Sequence, residues 1–348
     1  MRQLSEDNLV HNGMPLLKVI CLVVINTAVI LLLFSAAKFL PGIMVERHSN
    51  SMDTAETASA ASEPSPLPTA ATPDPSPTPT ADLRTPWQIR FAEHFGQEPV
   101  LTDHSYTSPQ ISINIETQTR SVSYGRTAVC HIADIYLAKP EQFQTYTANG
   151  EMSYYSVEDH ADMDKAAHAI LSVSGDCYSY QQYGFLMRNG QLYMDNVPYS
   201  DILVLYQDGR MAACSRGEYT VDEIVADGAV QVWTFGPSLL DADGHARQYY
   251  ETASMTVKQC NPRCAIGYYE PGHYCFVVVD GRQSGYSDGI LLPELAAVFE
   301  ELGCRMAYNL DGGGTAVMYF NHQPFSRQSN GADRKVGDIV FVTEEGFE

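Results

Sequence analysis

Residues 308–320 read YNLDGGGTAVMYF, and this stretch carries the clearest structural signal in the chain. A strand-like run delivers Asn309 and Asp311 to its end, three consecutive glycines follow, and a second strand-like run begins directly after them. Because glycine lacks a Cβ atom, residues 312–314 allow backbone N–H groups to approach and surround an anion or a sugar hydroxyl. No lysine follows the glycines, so the segment is not a nucleotide-binding P-loop. An ordinary glycine-rich hairpin turn is the alternative interpretation.

Strand-like runs recur on both sides of this segment. They are β-branched, often alternate between apolar and polar residues, and end at Gly, Asp or Asn. The runs are ISINIETQT, TAVCHIADIYLA, AILSVSG, DILVLYQDG, AVQVWTFG, HYCFVVVDG, RMAYNLDG, TAVMYFN and VGDIVFVT. Two helices are expected, at residues 162–168 and at residues 291–302, and the second ends before Gly303. Many strands with few helices predict an α+β domain, a mixed, strand-rich, twisted sheet rather than a doubly wound parallel one.

The N-terminal part of the chain predicts a membrane anchor. Residues 19–37 read VICLVVINTAVILLLFSAA, close to the length that crosses the hydrocarbon layer of a bilayer. We therefore expect a short cytoplasmic tail at residues 1–18 and one transmembrane helix at residues 19–40. A cleaved signal peptide is the alternative, although its apolar region is normally shorter.

A linker is expected between this anchor and the folded domain. Residues 48–85 are rich in Ser, Thr, Ala and Pro and culminate in EPSPLPTAATPDPSPTPTAD, so they have too few large apolar residues to fold. Repeated proline favours an extended, semi-rigid spacer. The organisation that follows is a disordered linker at residues 41–85 and one catalytic domain at residues 86–348. The plan predicts a single-pass protein of the cell membrane with an extracytoplasmic domain.

Composition excludes several classes of partner and site. The formal net charge is −21 and the sequence pI is about 4.7, so the surface repels nucleic acid and offers no polybasic patch for anionic lipid. Seven of the eight cysteines lie outside the apolar span, an odd number without the pattern of a disulfide framework. Cys260 and Cys264 lack the partners of a zinc site. No metal or cofactor is therefore expected, and a structural divalent cation is neither required nor excluded. Oligomeric state is not predicted.

Segments along most of the domain resemble one enzyme family. NLDGGG followed by a small hydroxyl residue resembles the signature of the phosphodiester glycosidases, the family of the N-acetylglucosamine-1-phosphodiester alpha-N-acetylglucosaminidase (uncovering enzyme). Further similar segments occur in the family's order over residues 125–343. These segments are HIADIYLAKPEQFQTY, SGDCY, GFLMRNGQLY, QVWTFGPSLL, NPRCAIG, VVVDGRQSGYSDGILLPELAAVFEELGC and DRKVGDIVFV.

The resemblance implies hydrolysis of a sugar-1-phosphodiester at its glycosidic bond, with a phosphoglycan or related sugar phosphodiester as substrate. A phosphate leaves as a stable anion, so cationic binding of that phosphate should matter more than a general acid. The catalytic candidates are three carboxylates, ranked Asp311, then Asp176, then Asp280. The candidates for binding substrate or phosphate are Arg263, Arg282, Ser174, Gly175, Asn309, Gly312, Gly313, Gly314 and Thr315. Which carboxylate acts as base or nucleophile is left open.

Three positions depart from the family's pattern. Ser174 stands where the family usually has Asn, Cys177 where an aromatic residue is usual, and Thr315-Ala316 where Ser-Ser is common. These changes bear on substrate identity more than on fold. Two alternatives to the glycosidase stay open, a metal-assisted phosphodiesterase that breaks the P–O bond and a carbohydrate-phosphate binding module without turnover.

Overall fold

Three sheets form the body of the domain in the computed structural model, which describes residues 82–180, 184–196, 198, 200–250, 258–329, 331 and 334–344. The predicted tail and transmembrane helix, and the linker up to residue 81, lie outside the described residues. Within the described part, no helix is long and apolar enough to span a membrane.

Nine of the seventeen strands in the described residues coincide with the runs named from the sequence, and the other eight, among them the strand that begins at Arg263, lie outside those runs. The bounds of the strands are β1 Val100–Leu101, β2 Ser105–Thr107, β3 Ile111–Val122, β4 Arg126–Leu137, β5 Phe143–Thr147, β6 Leu171–Ser174, β7 Phe185–Arg188, β8 Gln191–Asp195, β9 Ile202–Tyr206, β10 Met211–Cys214, β11 Ala229–Trp233, β12 Arg263–Glu270, β13 His273–Val279, β14 Met306–Asn309, β15 Met318–Phe320, β16 Gln323–Pro324 and β17 Asp338–Val342.

The first sheet has seven strands in the order β1-β2-β3-β4-β13-β12-β14. The second has the order β10-β9-β11-β7-β8, and the third has the order β16-β15-β6-β17-β5. The sequence predicted mixed sheets, whereas each strand pair of the described residues runs antiparallel. Pairing joins residues far apart in the chain, so a run's own composition does not specify its partner or direction.

Helices in the described residues are short and few, which confirms the α+β class. They are α1 Pro86–Arg90, α2 His160–Ala166, α3 Val221–Ala226 and α4 Leu292–Glu301. Thr85 begins α1 by accepting the Gln88 N–H at 3.1 Å, with proline in the first turn. Thr220 and Glu223 cap α3 reciprocally. Neither α1 nor α3 was predicted, because each is too short to show helical periodicity.

Strand β13 shows how the core is divided. Successive side chains of a strand point to opposite faces, so Tyr274, Phe276 and Val278 enter one core and Cys275 and Val277 enter another. The first core also contains residues of the other two sheets, and the second is closed by α4. Each fully buried side chain of this kind contributes about 1.5–3 kcal/mol of hydrophobic free energy.

The chain's crossing between sheets positions the candidate site. The glycine turn leaves β14 in the first sheet and enters β15 in the third. Strand β15 pairs with β6, with Met318 opposite Val173, so the end of β6 is brought beside the turn. Ser174 is the last residue of β6, and Arg263 begins β12, the neighbour of β14.

Candidate active site

The glycine turn is fastened to the segment that precedes β12. The Gly313 N–H donates to the Pro262 carbonyl at 2.9 Å, and the Thr315 hydroxyl donates to the Gly312 carbonyl at the same distance. A Cβ atom on Gly312 would lie 2.8 Å from the Pro262 carbonyl oxygen. Backbone therefore approaches backbone more closely here than any other residue would allow. Thr315 closes the turn, and its side chain is buried.

Asp311 lies at the edge of this turn with one charged partner. Its backbone N–H donates to the Gly175 carbonyl at 3.0 Å, and its Oδ1 accepts the Gly312 N–H at 2.9 Å. Its Oδ2 pairs with the guanidinium of Arg334, whose side chain is 46% exposed. Burial raises the pKa of the Asp311 carboxyl, and Arg334 opposes that shift. The arrangement is a carboxylate held by backbone on one oxygen and by a solvent-facing cation on the other.

Ser174 and Gly175 support the turn from the end of β6. The Ser174 hydroxyl donates to the Thr315 carbonyl, so this residue binds the turn with the hydroxyl that replaces the family's usual carboxamide. The Gly175 N–H donates to the Asp338 carbonyl at 3.1 Å. A Cβ atom on Gly175 would lie 2.3 Å from the Asp338 carboxylate, which leaves glycine as the only residue that fits.

The two predicted phosphate-binding arginines occupy different environments. Arg282 is exposed, and its Nη2 donates to the Asn261 side-chain oxygen at 2.9 Å. The same Nη2 lies 2.9 Å from the position that a Cβ atom on Gly313 would take, so the guanidinium lies against the glycine turn. Arg263 is buried and donates to two backbone carbonyls, those of Ile290 at 3.2 Å and residue 259 at 2.6 Å. Burial lowers the pKa of Arg263 to about 10, so it stays cationic at neutral pH.

Asp176, the second catalytic candidate, is committed to the protein interior. It is 3% exposed, its Oδ1 accepts the Cys177 N–H at 2.8 Å, and its Oδ2 accepts the Thr234 N–H at 2.6 Å. The guanidinium of Arg188 lies 3.5 Å from the same Oδ2. These contacts give Asp176 a structural function in this arrangement, and its catalytic assignment stays a prediction.

Asp280 and Asn309 are also buried. Asp280 is 1% exposed and bonds to His131, whose Nε2 lies 2.9 Å from its Oδ2. Asn309 ends β14 opposite Ala265 of β12, and its side-chain N–H donates to the Gly236 carbonyl, in the segment after β11, at 2.8 Å. Ser174, Gly175, Asp311, the glycine turn, Thr315 and Arg282 thus form one connected group. The side chains of the other predicted site residues are buried and bind other parts of the protein; these residues are Asp176, Asp280, Arg263 and Asn309.

Three charged residues of the site went unrecognised in the sequence. Arg334 pairs with Asp311, while Arg188 and Asp338 form a buried ion pair at 2.7 Å beneath Gly175. Burial raises the pKa of Asp338 to about 6 even though Arg188 opposes the shift. A signal existed, because Arg188 ends the apolar run FLM and Asp338 begins the apolar run IVFV. A charge directly adjoining a buried strand needs a partner.

Cys177 places a thiol beside the Asp311 carboxylate. Burial raises the pKa of this thiol, and the neighbouring charges of Asp311 and Asp176 add to the shift. The thiol is therefore neutral at physiological pH and is not a ready nucleophile. In the described ranges, all seven cysteines are free, and no group of three or more His, Cys, Asp or Glu side chains is arranged to hold a metal.

A carboxylate, a glycine turn and two exposed arginines thus meet at one place on a strand-rich α+β domain. The profile of the phosphodiester glycosidase family matches residues 167–343, about half of the chain. This chain belongs to the phosphodiester glycosidase family.

Known proteins similar to this chain include a prophage protein and the solved catalytic domain of an enzyme. Over 184 residues, 51% of this chain, it is 28% identical to the SPbeta prophage-derived uncharacterized protein YomE of Bacillus subtilis (strain 168), and it spans 28% of that protein's length. The solved catalytic domain of zebrafish N-acetylglucosamine-1-phosphodiester alpha-N-acetylglucosaminidase, auto-inhibited by its pro-peptide, is 19% identical. Its alignment covers 71% of this chain and 88% of that domain with a TM-score of 0.57. The latter comparison shows a shared fold.

Proposed function

We propose that this chain hydrolyses the glycosidic bond of a sugar-1-phosphodiester, such as an N-acetylglucosamine-1-phospho-glycan of the cell surface. One observation carries the proposal. The Asp311 carboxylate and the exposed guanidinium groups of Arg282 and Arg334 meet at one glycine turn. This concentrates positive charge locally on a chain whose formal net charge is −21. Membership of the phosphodiester glycosidase family supports the same reaction.

The arginines suit the leaving group. When the bond between C1 and the phosphate oxygen breaks, the electron pair goes to that oxygen, and a guanidinium stabilises the resulting charge by two parallel N–H bonds. Arg334 already binds one anionic group, the Asp311 carboxylate. A substrate phosphate would compete for Arg334, and its binding would release Asp311 Oδ2 toward the sugar.

The released Asp311 carboxylate then takes part in the reaction at C1 of the sugar. It either attacks C1 and forms a glycosyl ester that water hydrolyses, or it takes the proton of a water molecule that attacks C1 directly. In both routes the water oxygen ends on the sugar and the phosphate leaves as a monoester. Backbone support from Gly175 and Gly312 would hold the carboxylate during this step.

The test is turnover in ¹⁸O-labelled water with a panel of sugar-1-phosphodiesters, followed by mass analysis of both products. The full-length chain is compared with Asp311→Asn and with a surface control, Asp208→Asn, whose side chain is 62% exposed. We expect label in the sugar, loss of activity in Asp311→Asn and unchanged activity in Asp208→Asn. Label in the phosphate, or activity abolished by chelators and restored by a divalent ion, would identify a phosphodiesterase instead. Binding of the panel without turnover would identify a carbohydrate-phosphate binding module.

We also propose a single-pass membrane protein with the domain outside the cytoplasm. The apolar run at residues 19–37 and the proline-rich stretch that follows support this placement. Protease treatment of intact cells should release a stable fragment that begins near Pro86, where the first described helix starts. A domain that stays protected in intact cells but is cleaved after lysis would contradict the proposed location.

A further inference from the structure

A hydrogen-bonded cluster centred on Asp280 adjoins the segment that carries Arg282. Asp280 directly follows β13, and its carboxylate accepts hydrogen bonds from distant parts of the chain. His131 Nε2 on β4 lies 2.9 Å from Oδ2, the Tyr286 hydroxyl donates to the same oxygen at 2.8 Å, and the Arg327 N–H donates to Oδ1 at 3.0 Å. These contacts leave Asp280 only 1% exposed, so its carboxylate does not face an incoming substrate.

The same cluster also attaches residues 280–287 to strand β4. The Ser287 hydroxyl donates to the Asp280 carbonyl at 2.6 Å and accepts the Val129 N–H at 3.0 Å. The Asp280 N–H donates to the Val129 carbonyl at 3.0 Å. The Arg327 guanidinium lies 3.9 Å from the centre of the Tyr286 ring, so these two residues of the cluster also contact each other. Residues 280–287 are therefore tied to β4 at both ends.

Arg282 needs such support. Its φ is +59°, in the left-handed region that non-glycine residues rarely adopt. Backbone of this kind persists where the surrounding structure determines it, and it clusters at functional sites. Here it directs the guanidinium to Asn261 and to the glycine turn at Gly313.

We infer that Asp280 is a positioning residue, which holds the Arg282 guanidinium at the glycine turn to receive the phosphate group of the substrate. The inference rests on the proposed function, since it names the phosphate as the group that Arg282 binds. It gives Asp280 a different function from the catalytic one that the sequence predicted. His131 and Tyr286 act with it, through the two bonds to Oδ2.

The experiment is a double-mutant cycle on the full-length chain, with binding of inorganic phosphate and of a sugar-1-phosphate measured by calorimetry. Asp280→Asn should weaken binding about tenfold in the wild-type background and change it little in the Arg282→Ala background, because the two residues act as one unit. With a hydrolysed substrate, Asp280→Asn should raise KM more than it lowers kcat. Tyr286→Phe should show the same dependence on Arg282 with a smaller loss, and it tests the inference if Asp280→Asn does not fold.

Asp164→Asn is the matched control. Asp164 is a fully buried acid that bonds to Ser172 and His322, neither of which is a predicted site residue. It should lower stability without weakening phosphate binding. Equal losses from Asp280→Asn in both backgrounds, or an equal loss from Asp164→Asn, would overturn the positioning function. A wild-type chain that neither binds nor hydrolyses these compounds would overturn the proposed function itself.

Discussion

Replacing Arg188 with methionine should destabilise the protein, and the loss of unfolding free energy can be derived from the contacts of Arg188. Arg188 Nε donates to Asp338 Oδ2 at 2.7 Å, its Nη2 lies 3.5 Å from Asp176 Oδ2, and these three side chains are at most 1% exposed. Methionine keeps the apolar stem and removes the charge, so two buried carboxylates lose their common cation. Breaking a buried ion pair in this way costs about 3–5 kcal/mol of unfolding free energy.

The variant's deficit should depend on pH. The pKa of Asp338 is about 6 in the folded protein, raised from 3.8 by burial although Arg188 lowers it. Without Arg188 it should rise further. A raised folded-state pKa destabilises the fold above that pKa, and the penalty disappears as pH falls toward the unfolded value. The deficit of Arg188→Met should therefore be larger near pH 7.5 than at pH 5.

Urea titration at both pH values measures this free energy, and thermal melting should show a fall of roughly 10 °C at pH 7.5. Arg210→Met is the matched control, because Arg210 also pairs with an aspartate, Asp227 at 2.8 Å, but is 40% exposed. It should cost below about 1 kcal/mol. A loss for Arg188→Met no larger than that of Arg210→Met, or a loss that grows on acidification, would refute the reasoning.

Three further predictions, which use four substitutions, test the site itself. Asp311→Asn should lower kcat about a hundredfold or more by removing the charge that serves C1, and near-normal turnover would remove Asp311 from the mechanism. Gly312→Ala should abolish turnover, because its Cβ atom would lie 2.8 Å from the Pro262 carbonyl oxygen. Gly314→Ala should be tolerated, because its Cβ atom would have no neighbour nearer than 3.5 Å. Equal activities of the two variants would contradict this packing. Arg263→Lys should lower the free energy of unfolding in urea by about 1.5–3 kcal/mol, since an ammonium cannot replace a planar group that donates to two backbone carbonyls. A wild-type urea midpoint would argue against this structural function of Arg263.

The strands and the glycine turn could be predicted from the sequence because their signals are local. The run HYCFVVVDG predicts a strand, and β13 occupies residues 273–279, with side chains buried on both of its faces. Asp311 could likewise be ranked first among the carboxylates, since it directly precedes three glycines. Its side chain is 10% exposed, compared with at most 1% for Asp176 and Asp280, and this difference agrees with that ranking, while its catalytic function stays a prediction.

Charge partners could not be predicted, because they depend on which strands become neighbours. Arg188 and Asp338 are separated by 150 residues and belong to different sheets, yet they form a buried pair. Asp176 and Asp280 resemble Asp311 as acids near a strand end, and only the folded chain shows that their oxygens bind Arg188 and His131.

The sequence by itself determined where nine of the strands lie along the chain, the glycine turn and the family, because each depends on residues adjacent in the chain. The tertiary structure decided how deeply each acid is buried and which cations pair with it. Burial and pairing are properties of side chains that converge from distant segments. A carboxylate's free energy depends on its solvation and its nearest charges, and neither is encoded within a few residues of it.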